Sequence, residues 1–228
     1  MLWHREHLPD PLPPDPLEIA ALWLTEATQR AGQPNPNAMV LATADAQGVP
    51  SARVVLCKQI VPQPGYLTFY TNYLSHKGQD LTANPHAAIV MYWDALHRQV
   101  RIEGPVVRTS AAESDTYFAS RNWQSRIGAW ASHQSEPIDS RQALYRAVAA
   151  AALKLALPTP AEDEAQPDPG QKIPRPPHWG GFQLWAASVE LWVEGSARIH
   201  DRARWSRSLS PKDGAFAPGP WSVSRLQP

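Results

Sequence analysis

The chain has 228 residues, enough for one large domain that buries most of its apolar surface. Its 21 basic residues balance 21 acidic residues, so no net field favours a nucleic-acid backbone or an anionic membrane. The sequence has no run of about 18 apolar residues, and we expect no membrane span. Its single cysteine, Cys57, excludes an internal disulfide and favours a reducing, cytoplasmic location.

The N-terminal part of the chain predicts an irregular segment followed by a helix. Residues 1–14 are rich in proline and show no periodicity, which is typical of irregular structure. Asp15 is a natural N-cap, and Pro16 suits the first helical position. We expect the ordered domain to cover residues 15–228.

From residue 38 onward the apolar pattern is typical of β-strands. The predicted strands cover residues 38–44, 51–60, 66–71, 86–93, 97–109, 181–186, 189–194, 203–209 and 220–226. A short helix near 75–84 interrupts them. Successive antiparallel pairs predict a mainly β fold with peripheral helices, as a barrel or sandwich.

The middle of the chain is helical and ends in a proline-rich tract. Ser110 and Glu113 form a capping box for a helix that runs to about Arg121. The alanine-rich residues 139–157 predict a second, amphipathic helix. Residues 158–177 carry seven prolines and an acidic run, which predicts an exposed loop.

Several side chains indicate a phosphate site on residue chemistry alone. Ser75 as N-cap and Lys77 beside it would add donors to the positive end of the helix near 75–84. Arg53 and Lys58 lie five residues apart, so an ideal strand would direct them to opposite faces. Two solvated charges at a strand edge are the alternative interpretation.

A second set of donors has helical spacing. Tyr117, Arg121 and Ser125 are spaced i, i+4 and i+8, which places them on one face if the helix continues past Asn122. A guanidinium between two hydroxyls suits a phosphate dianion. A solvated helix face is the alternative interpretation.

A third set alternates near the C-terminus. Arg198, His200 and Arg202 would face one way if their segment is extended. We expect no metal at His200, because no second ligand lies at a suitable spacing. A cationic strand edge is the alternative interpretation.

Seven blocks, taken in order, carry a resemblance to a known family. They are RVVLCK (53–58), FYTNYLSHKG (69–78), RQVRIEG (98–104), YFASRNWQS (117–125), IGAWASHQS (127–135), RPPHWGG (175–181) and ELWVEGSARIHDR (190–202). Together they resemble the pyridoxamine 5'-phosphate oxidase family, which uses FMN. The resemblance implies a split β-barrel of Greek-key antiparallel type.

The resemblance also implies roles for individual residues. The implied FMN contacts are Arg53, Val54, Val55, Leu56, Cys57, Lys58, Tyr70, Thr71, Ser75, His76, Lys77, Gln99, Gln134, Ser135, Trp192 and Arg202. The implied substrate contacts are Lys58, Tyr117, Arg121 and Ser125 at the phosphate, with Arg198 and His200 at the ring as catalytic residues. The family usually has arginine where this chain has His76, so we expect weaker FMN affinity.

The implied activity is oxidation of pyridoxamine or pyridoxine 5'-phosphate to pyridoxal 5'-phosphate, with dioxygen as acceptor and hydrogen peroxide released. A homodimer with FMN at its interface is implied as well. The alternatives are an oxidase of the same fold that acts on another planar substrate, such as a phenazine precursor, and a non-catalytic carrier of FMN or pyridoxal phosphate.

Overall fold

The computed structural model of the chain describes residues 6–30, 32–160, 168 and 170–228. The helices in this part are α1 (Pro16–Arg30), α2 (His76–Ala83), α3 (Ala111–Ala119), α4 (Trp123–Ala131) and α5 (Arg141–Lys154). The strands are β1 (Ala38–Ala44), β2 (Pro50–Leu56), β3 (Gln59–Val61), β4 (Tyr66–Asn72), β5 (His86–Trp93), β6 (Arg98–Arg108), β7 (Trp179–Trp185), β8 (Ser188–Val193), β9 (Asp201–Ser206), β10 (Leu209–Lys212), β11 (Ala215–Pro218) and β12 (Ser222–Leu226).

Most of the described strands form one ten-stranded sheet. Its main path runs β12-β9-β8-β6-β5-β1-β2, and all six neighbouring pairs on this path are antiparallel. Off this path, β3 pairs with β4, β4 with β7, and β7 with β6. The predicted mainly β fold with antiparallel pairing is confirmed.

The chain divides into two compact units. The sheet unit contains the described residues of Met1–Phe69, Asp80–Val107 and Phe182–Pro228, and the helical unit contains those of Tyr70–Gln79 and Arg108–Gly181. The expectation of one domain over residues 15–228 stays a prediction.

The core of the sheet unit follows from the two-residue period of its strands. In β1, Met39 and Leu41 are buried while Val40 between them is exposed. Ile89 and Met91 repeat this pattern in β5, and Ile102 lies fully buried in β6. Alternate side chains therefore form the core, and the others form the opposite face of the sheet.

The helical unit has an aromatic core of its own. Buried Phe118, Trp123, Ile127 and Trp179 pack together with apolar residues of α5. The predicted capping box starts α3, because the Ser110 side chain accepts from the Glu113 amide while the Glu113 side chain accepts from the Ser110 amide. Helix α5 lies within the predicted 139–157.

The described part of the N-terminal segment, 6–14, is irregular but fixed to the sheet unit. The Leu8 amide donates to the Asp201 carboxylate (2.9 Å), and Leu8 itself is buried. The Trp205 indole donates to the Pro13 carbonyl (2.9 Å), and buried Arg98 pairs with Glu6. Two hydrogen bonds, one ion pair and the buried Leu8 side chain thus hold a segment that has no periodicity. Residues 1–5 of this prediction lie outside the described residues.

The condition for a shared face of Tyr117, Arg121 and Ser125, a helix that continues past Asn122, is not met. Helix α3 ends at Ala119, and Asn122 begins α4 by accepting a hydrogen bond from the Gln124 amide (2.8 Å). A short amide side chain that bonds its own backbone favours a cap over a helix interior. Tyr117, Arg121 and Ser125 therefore do not share one helix face.

The condition for the third set, an extended segment through Arg198 and His200, is not met either. Ser196–Arg198 forms a 3-10 turn in which Ala197 and Arg198 have φ values of 54° and 64°. Gly195 permits this turn, since a Cβ there would lie 1.6 Å from the Ile199 carbonyl oxygen. Only Arg202 of the three alternating residues lies on a strand, β9.

Two more differences concern loops. The predicted strand 51–60 is two strands, β2 and β3, and the predicted 203–209 ends earlier and is followed by the β10–β11 hairpin. The described residues of the proline-rich tract have no regular structure; 161–167 and 169 lie outside the described residues.

Among the helices of the described chain, none is long and apolar enough to cross a membrane.

Candidate functional site

Four predicted FMN contacts meet at the N-terminus of α2. The Lys77 ammonium, in a residue only 7% exposed, lies 2.8 Å from Gln134 Oε1 and 3.1 Å from Ser75 Oγ. Thr71 Oγ1 donates to the same Gln134 oxygen (3.3 Å). Ser75 Oγ also accepts from the Gly78 amide (3.4 Å), as an N-cap does. A buried cation and a helix N-terminus together form a site suited to a phosphate.

The chain around this cluster explains how it forms. Strand β4 ends with Thr71 and Asn72, and the Asn72 side chain accepts from the Leu74 amide (2.8 Å), which turns the backbone into α2. His76 is the first residue of α2 and is exposed. Ser135 follows Gln134 with a left-handed backbone (φ 77°) and is exposed.

An aromatic stack forms the second feature of the helical unit. The rings of Tyr70 and Tyr117 stack with centroids 3.9 Å apart, and Trp179 stacks on both, at 5.6 Å and 6.1 Å. The Arg121 guanidinium lies 4.7 Å from the Trp179 ring centroid. Trp179 was not among the predicted site residues, although it lies within the RPPHWGG block.

Arg121 has the environment expected of an anion-binding cation. Its Nη1 atom is buried and has no hydrogen-bond partner among the described residues. Burial lowers the pKa of Arg121, while Tyr117 raises it and the charge of Arg126 lowers it further. A buried donor without a partner costs free energy, which a bound anion would offset. Ser125 is exposed in the first turn of α4 and offers a hydroxyl near the N-terminus of that helix, which Arg121 directly precedes.

In the sheet unit, three predicted contacts are neighbours across adjacent strands. Gln99 of β6 pairs with Trp192 of β8, which pairs with Arg202 of β9. Arg202 donates twice to the buried Glu190 carboxylate (3.0 and 2.8 Å) and once to the Gln227 carbonyl. This pairing fixes the Arg202 side chain on the sheet.

The two predicted catalytic residues lie in the turn before β9. The His200 ring centroid is 4.7 Å from that of Trp192, and His200 Nδ1 accepts from the Gly195 amide (3.2 Å). The neutral ring therefore carries its proton on Nε2, where it can donate to a ligand. Arg198 is exposed, and its side chain makes no ion pair within the described chain.

The Arg53 guanidinium is held by its own unit. It donates to Thr43 Oγ1 (2.7 Å), Ser51 Oγ (2.6 Å) and the Leu41 carbonyl (3.2 Å), and lies 3.7 Å from the Asp80 carboxylate. Burial lowers the pKa of Arg53, and Asp80 opposes that shift. Neither Thr43 nor Asp80 was predicted as part of the site.

The remaining residues of the 53–58 block differ in exposure. Val54 and Lys58 are exposed, and Val55 and Leu56 are half-buried. Cys57 is buried, and burial raises the pKa of its thiol to about 12. A buried, protonated thiol packs as a small hydrophobic residue and is not activated as a nucleophile. Within the described residues no group of three His, Cys, Asp or Glu could hold a metal.

Comparisons with known proteins bear on both units. Residues 25–154 match the family model described as pyridoxamine 5'-phosphate oxidase, and residues 179–228 match one described as the pyridoxine 5'-phosphate oxidase C-terminal dimerisation region. A Burkholderia vietnamiensis protein named pyridoxine/pyridoxamine 5'-phosphate oxidase is 47% identical over 215 residues, 94% of this chain and 90% of that protein. A Bordetella avium protein of the same name is 48% identical over 213 residues, 93% and 89% of the two chains.

Solved structures are similar as well. PhzG from Burkholderia lata 383, in complex with tetrahydrophenazine-1-carboxylic acid, has a TM-score of 0.79 and 29% identity, and the match covers 96% of this chain and 95% of that one. A pyridoxamine 5'-phosphate oxidase-related, FMN binding protein from Nostoc punctiforme has a TM-score of 0.63 at 18% identity, over 93% and 97% of the two chains. These likenesses confirm the predicted split β-barrel fold.

Proposed function

Because the chain belongs to the pyridoxamine 5'-phosphate oxidase family, we propose that it oxidises pyridoxamine or pyridoxine 5'-phosphate to pyridoxal 5'-phosphate. Dioxygen would accept two electrons and two protons and leave as hydrogen peroxide. With the amine substrate, water would also be consumed and ammonia released. The main support for the phosphate substrate is the buried Nη1 atom of Arg121, which has no hydrogen-bond partner among the described residues and which a phosphate would satisfy.

The cluster at α2 supports FMN as the cofactor. Lys77, Ser75 and Thr71 would hold its phosphate at the helix N-terminus, and Gln134 orients the Lys77 ammonium. FMN, when bound, would supply the two-electron redox chemistry. In the sheet unit, Arg53, Gln99, Trp192 and Arg202 remain proposed FMN contacts.

One set of side chains would bind the phosphate of the substrate, and a second set would orient its ring. Arg121 would bind the phosphate, with hydroxyls from Tyr117 and Ser125 and the exposed ammonium of Lys58. His200 would donate from Nε2 to the substrate ring, because its Nδ1 is occupied by the Gly195 amide. Arg198, exposed and without an ion pair in the described chain, would add a charge beside it. These groups orient the substrate for hydride loss.

A homodimer is part of the proposal. Residues 179–228 match a dimerisation region, and the sheet unit exposes neighbouring apolar side chains that a partner would cover. Val40 pairs with Val54 across β1 and β2, and both are exposed. A cytoplasmic location stays a prediction.

Peroxide release tests the proposed reaction. Purified protein incubated with FMN and then supplied with pyridoxamine 5'-phosphate in air should release hydrogen peroxide and pyridoxal 5'-phosphate in equal amounts. Pyridoxamine without the phosphate is the matched control and should react far more slowly. Equal rates for the two amines would contradict the phosphate-based recognition.

A phenazine precursor is the second candidate substrate. The likeness to PhzG in complex with tetrahydrophenazine-1-carboxylic acid favours it. That compound carries a carboxylate in place of a phosphate, so a single competition assay separates the two. Faster oxidation of tetrahydrophenazine-1-carboxylic acid than of pyridoxamine 5'-phosphate would favour the second candidate.

A further inference from the structure

Two arginines occupy positions at the start of α4 that normally contact each other. Asn122 is the N-cap, so Arg121 lies one residue before the cap and Arg126 is the fourth helical residue. Side chains at these two positions commonly pack together across a helix N-terminus, and they are usually apolar. Here the pair is two guanidinium groups at the positive end of a helix, an arrangement that favours a nearby anion.

Only one carboxylate balances these two charges in the described part of the chain. Arg126, 7% exposed, pairs with Asp168 through Nη2 and Oδ2 at 2.7 Å, while its buried Nε has no hydrogen-bond partner there. Arg121 has no carboxylate partner among the same residues, and its buried Nη1 makes no hydrogen bond. Within the described residues, one positive charge of this pair thus has no carboxylate partner.

We propose that Arg126 is a second cation of the substrate-phosphate subsite and that Asp168 weakens this subsite by neutralising it. The inference rests on the proposed function, which places the phosphate on Arg121. With a phosphate dianion bound, the Asp168 carboxylate repels it, and Arg126 attracts it. Asp168 is therefore a specificity-determining residue in the proline-rich tract, setting how strongly a dianion is preferred.

These charges predict whether each of three variants binds a phosphate ligand more tightly or more weakly than the wild type. Asp168→Asn removes the repulsion and should tighten binding of a phosphate ligand by roughly three- to tenfold, a modest factor because the Asp168 side chain is half-exposed and water screens its charge. Arg126→Gln should weaken binding by a similar factor. The double variant should return near the wild-type affinity, because it removes one charge of each sign.

The measurement is calorimetric titration of the FMN-saturated protein with pyridoxal 5'-phosphate, alongside pyridoxal, which lacks the phosphate. Asp115→Asn is the matched control. Asp115 forms a similar 2.7 Å pair with Arg175, and its side chain is 60% exposed against 53% for Asp168. Only Asp168→Asn should tighten the binding of pyridoxal 5'-phosphate, and neither variant should change the affinity for pyridoxal. Added salt should reduce the gain.

The inference is overturned if Asp168→Asn leaves the affinity for pyridoxal 5'-phosphate unchanged or weakens it, or if pyridoxal responds equally. Because Arg126→Gln can destabilise the core, the decision rests on the surface variant Asp168→Asn. If the predicted affinities appear but pyridoxamine 5'-phosphate is not oxidised, the proposed reaction fails and the charge inference stands. A wild-type protein that binds no pyridoxal 5'-phosphate would overturn both.

Discussion

At the scale of single residues, the position of Arg121 depends on the residue that follows it. Asn122 caps α4 and ends the helical path from α3, so Arg121 projects from a short link between two helices. There it stacks on Trp179 with a buried nitrogen that lacks a partner in the described chain. Spacing alone could not predict this geometry, because it assumed an unbroken helix.

The Arg121→Ala variant tests the role of this side chain. A phosphate remote from the reacting carbon is bound similarly in ground and transition states, so its loss should raise KM more than it lowers kcat. We expect KM for pyridoxamine 5'-phosphate to rise roughly 10- to 100-fold, the range of a charged hydrogen bond. Arg146→Ala, which removes an exposed arginine of α5, should leave KM unchanged. A fall in kcat at constant KM would contradict the assignment.

The His76→Arg variant tests the cofactor-phosphate site. His76 is exposed at the first position of α2, one residue before buried Lys77. Arginine would bring a permanent charge and a two-pronged donor, so the Kd for FMN should fall by roughly threefold or more. Fluorescence titration at neutral pH measures it, with His86→Arg, an exposed histidine of β5, as the control. Equal or weaker FMN affinity in the His76→Arg variant would contradict a role of this position in binding the FMN phosphate.

At the scale of elements, the strands whose side-chain burial alternates could be predicted from the sequence. The turns could not. Residues 38–44 and 86–93 match β1 and β5 because each alternates buried side chains with half-buried or exposed ones between clear turn signals. The turn at Ser196–Arg198 was missed because it depends on a close approach of Gly195 to the Ile199 carbonyl, which the periodicity of apolar residues does not report. The Arg53 contacts with Thr43 and Asp80 were missed because they join residues that are distant in sequence.

The Gly195→Ala variant tests whether this turn positions His200. A new Cβ would lie 1.6 Å from the Ile199 carbonyl oxygen, so the turn must shift and the bond from the Gly195 amide to His200 Nδ1 should be lost. A displacement of about 1 Å can cost about 100-fold in rate. We expect that loss in kcat with FMN content unchanged. Gly128→Ala, where an added Cβ meets nothing within 4 Å, should retain full activity.

At the scale of the whole molecule, the sheet unit exposes an apolar face that suggests association. Val54, 66% exposed, lies beside Val40 on that face, and Val49, 61% exposed, lies in the turn between β1 and β2. We propose that a partner subunit covers Val54 and leaves Val49 exposed. The two valines therefore form a matched pair of sites for charge substitution.

Light scattering and absorbance test the dimer. We expect a yellow homodimer with one FMN per chain, dissociated by Val54→Asp and not by Val49→Asp. Burying an unpaired carboxylate in an apolar interface is costly, whereas one in an exposed turn is not. A colourless monomer after incubation with excess FMN would count against the dimer and the cofactor together.

Anaerobic reduction of the bound flavin tests the central claim most directly. Protein loaded with FMN and mixed with pyridoxamine 5'-phosphate without oxygen should lose its flavin absorbance, at a rate that falls steeply in Arg198→Ala and His200→Ala variants of equal FMN content. Loss of colour in the wild type, with pyridoxal 5'-phosphate formed, is the predicted result. An unchanged spectrum with ligand demonstrably bound would contradict the oxidase and indicate a non-catalytic carrier.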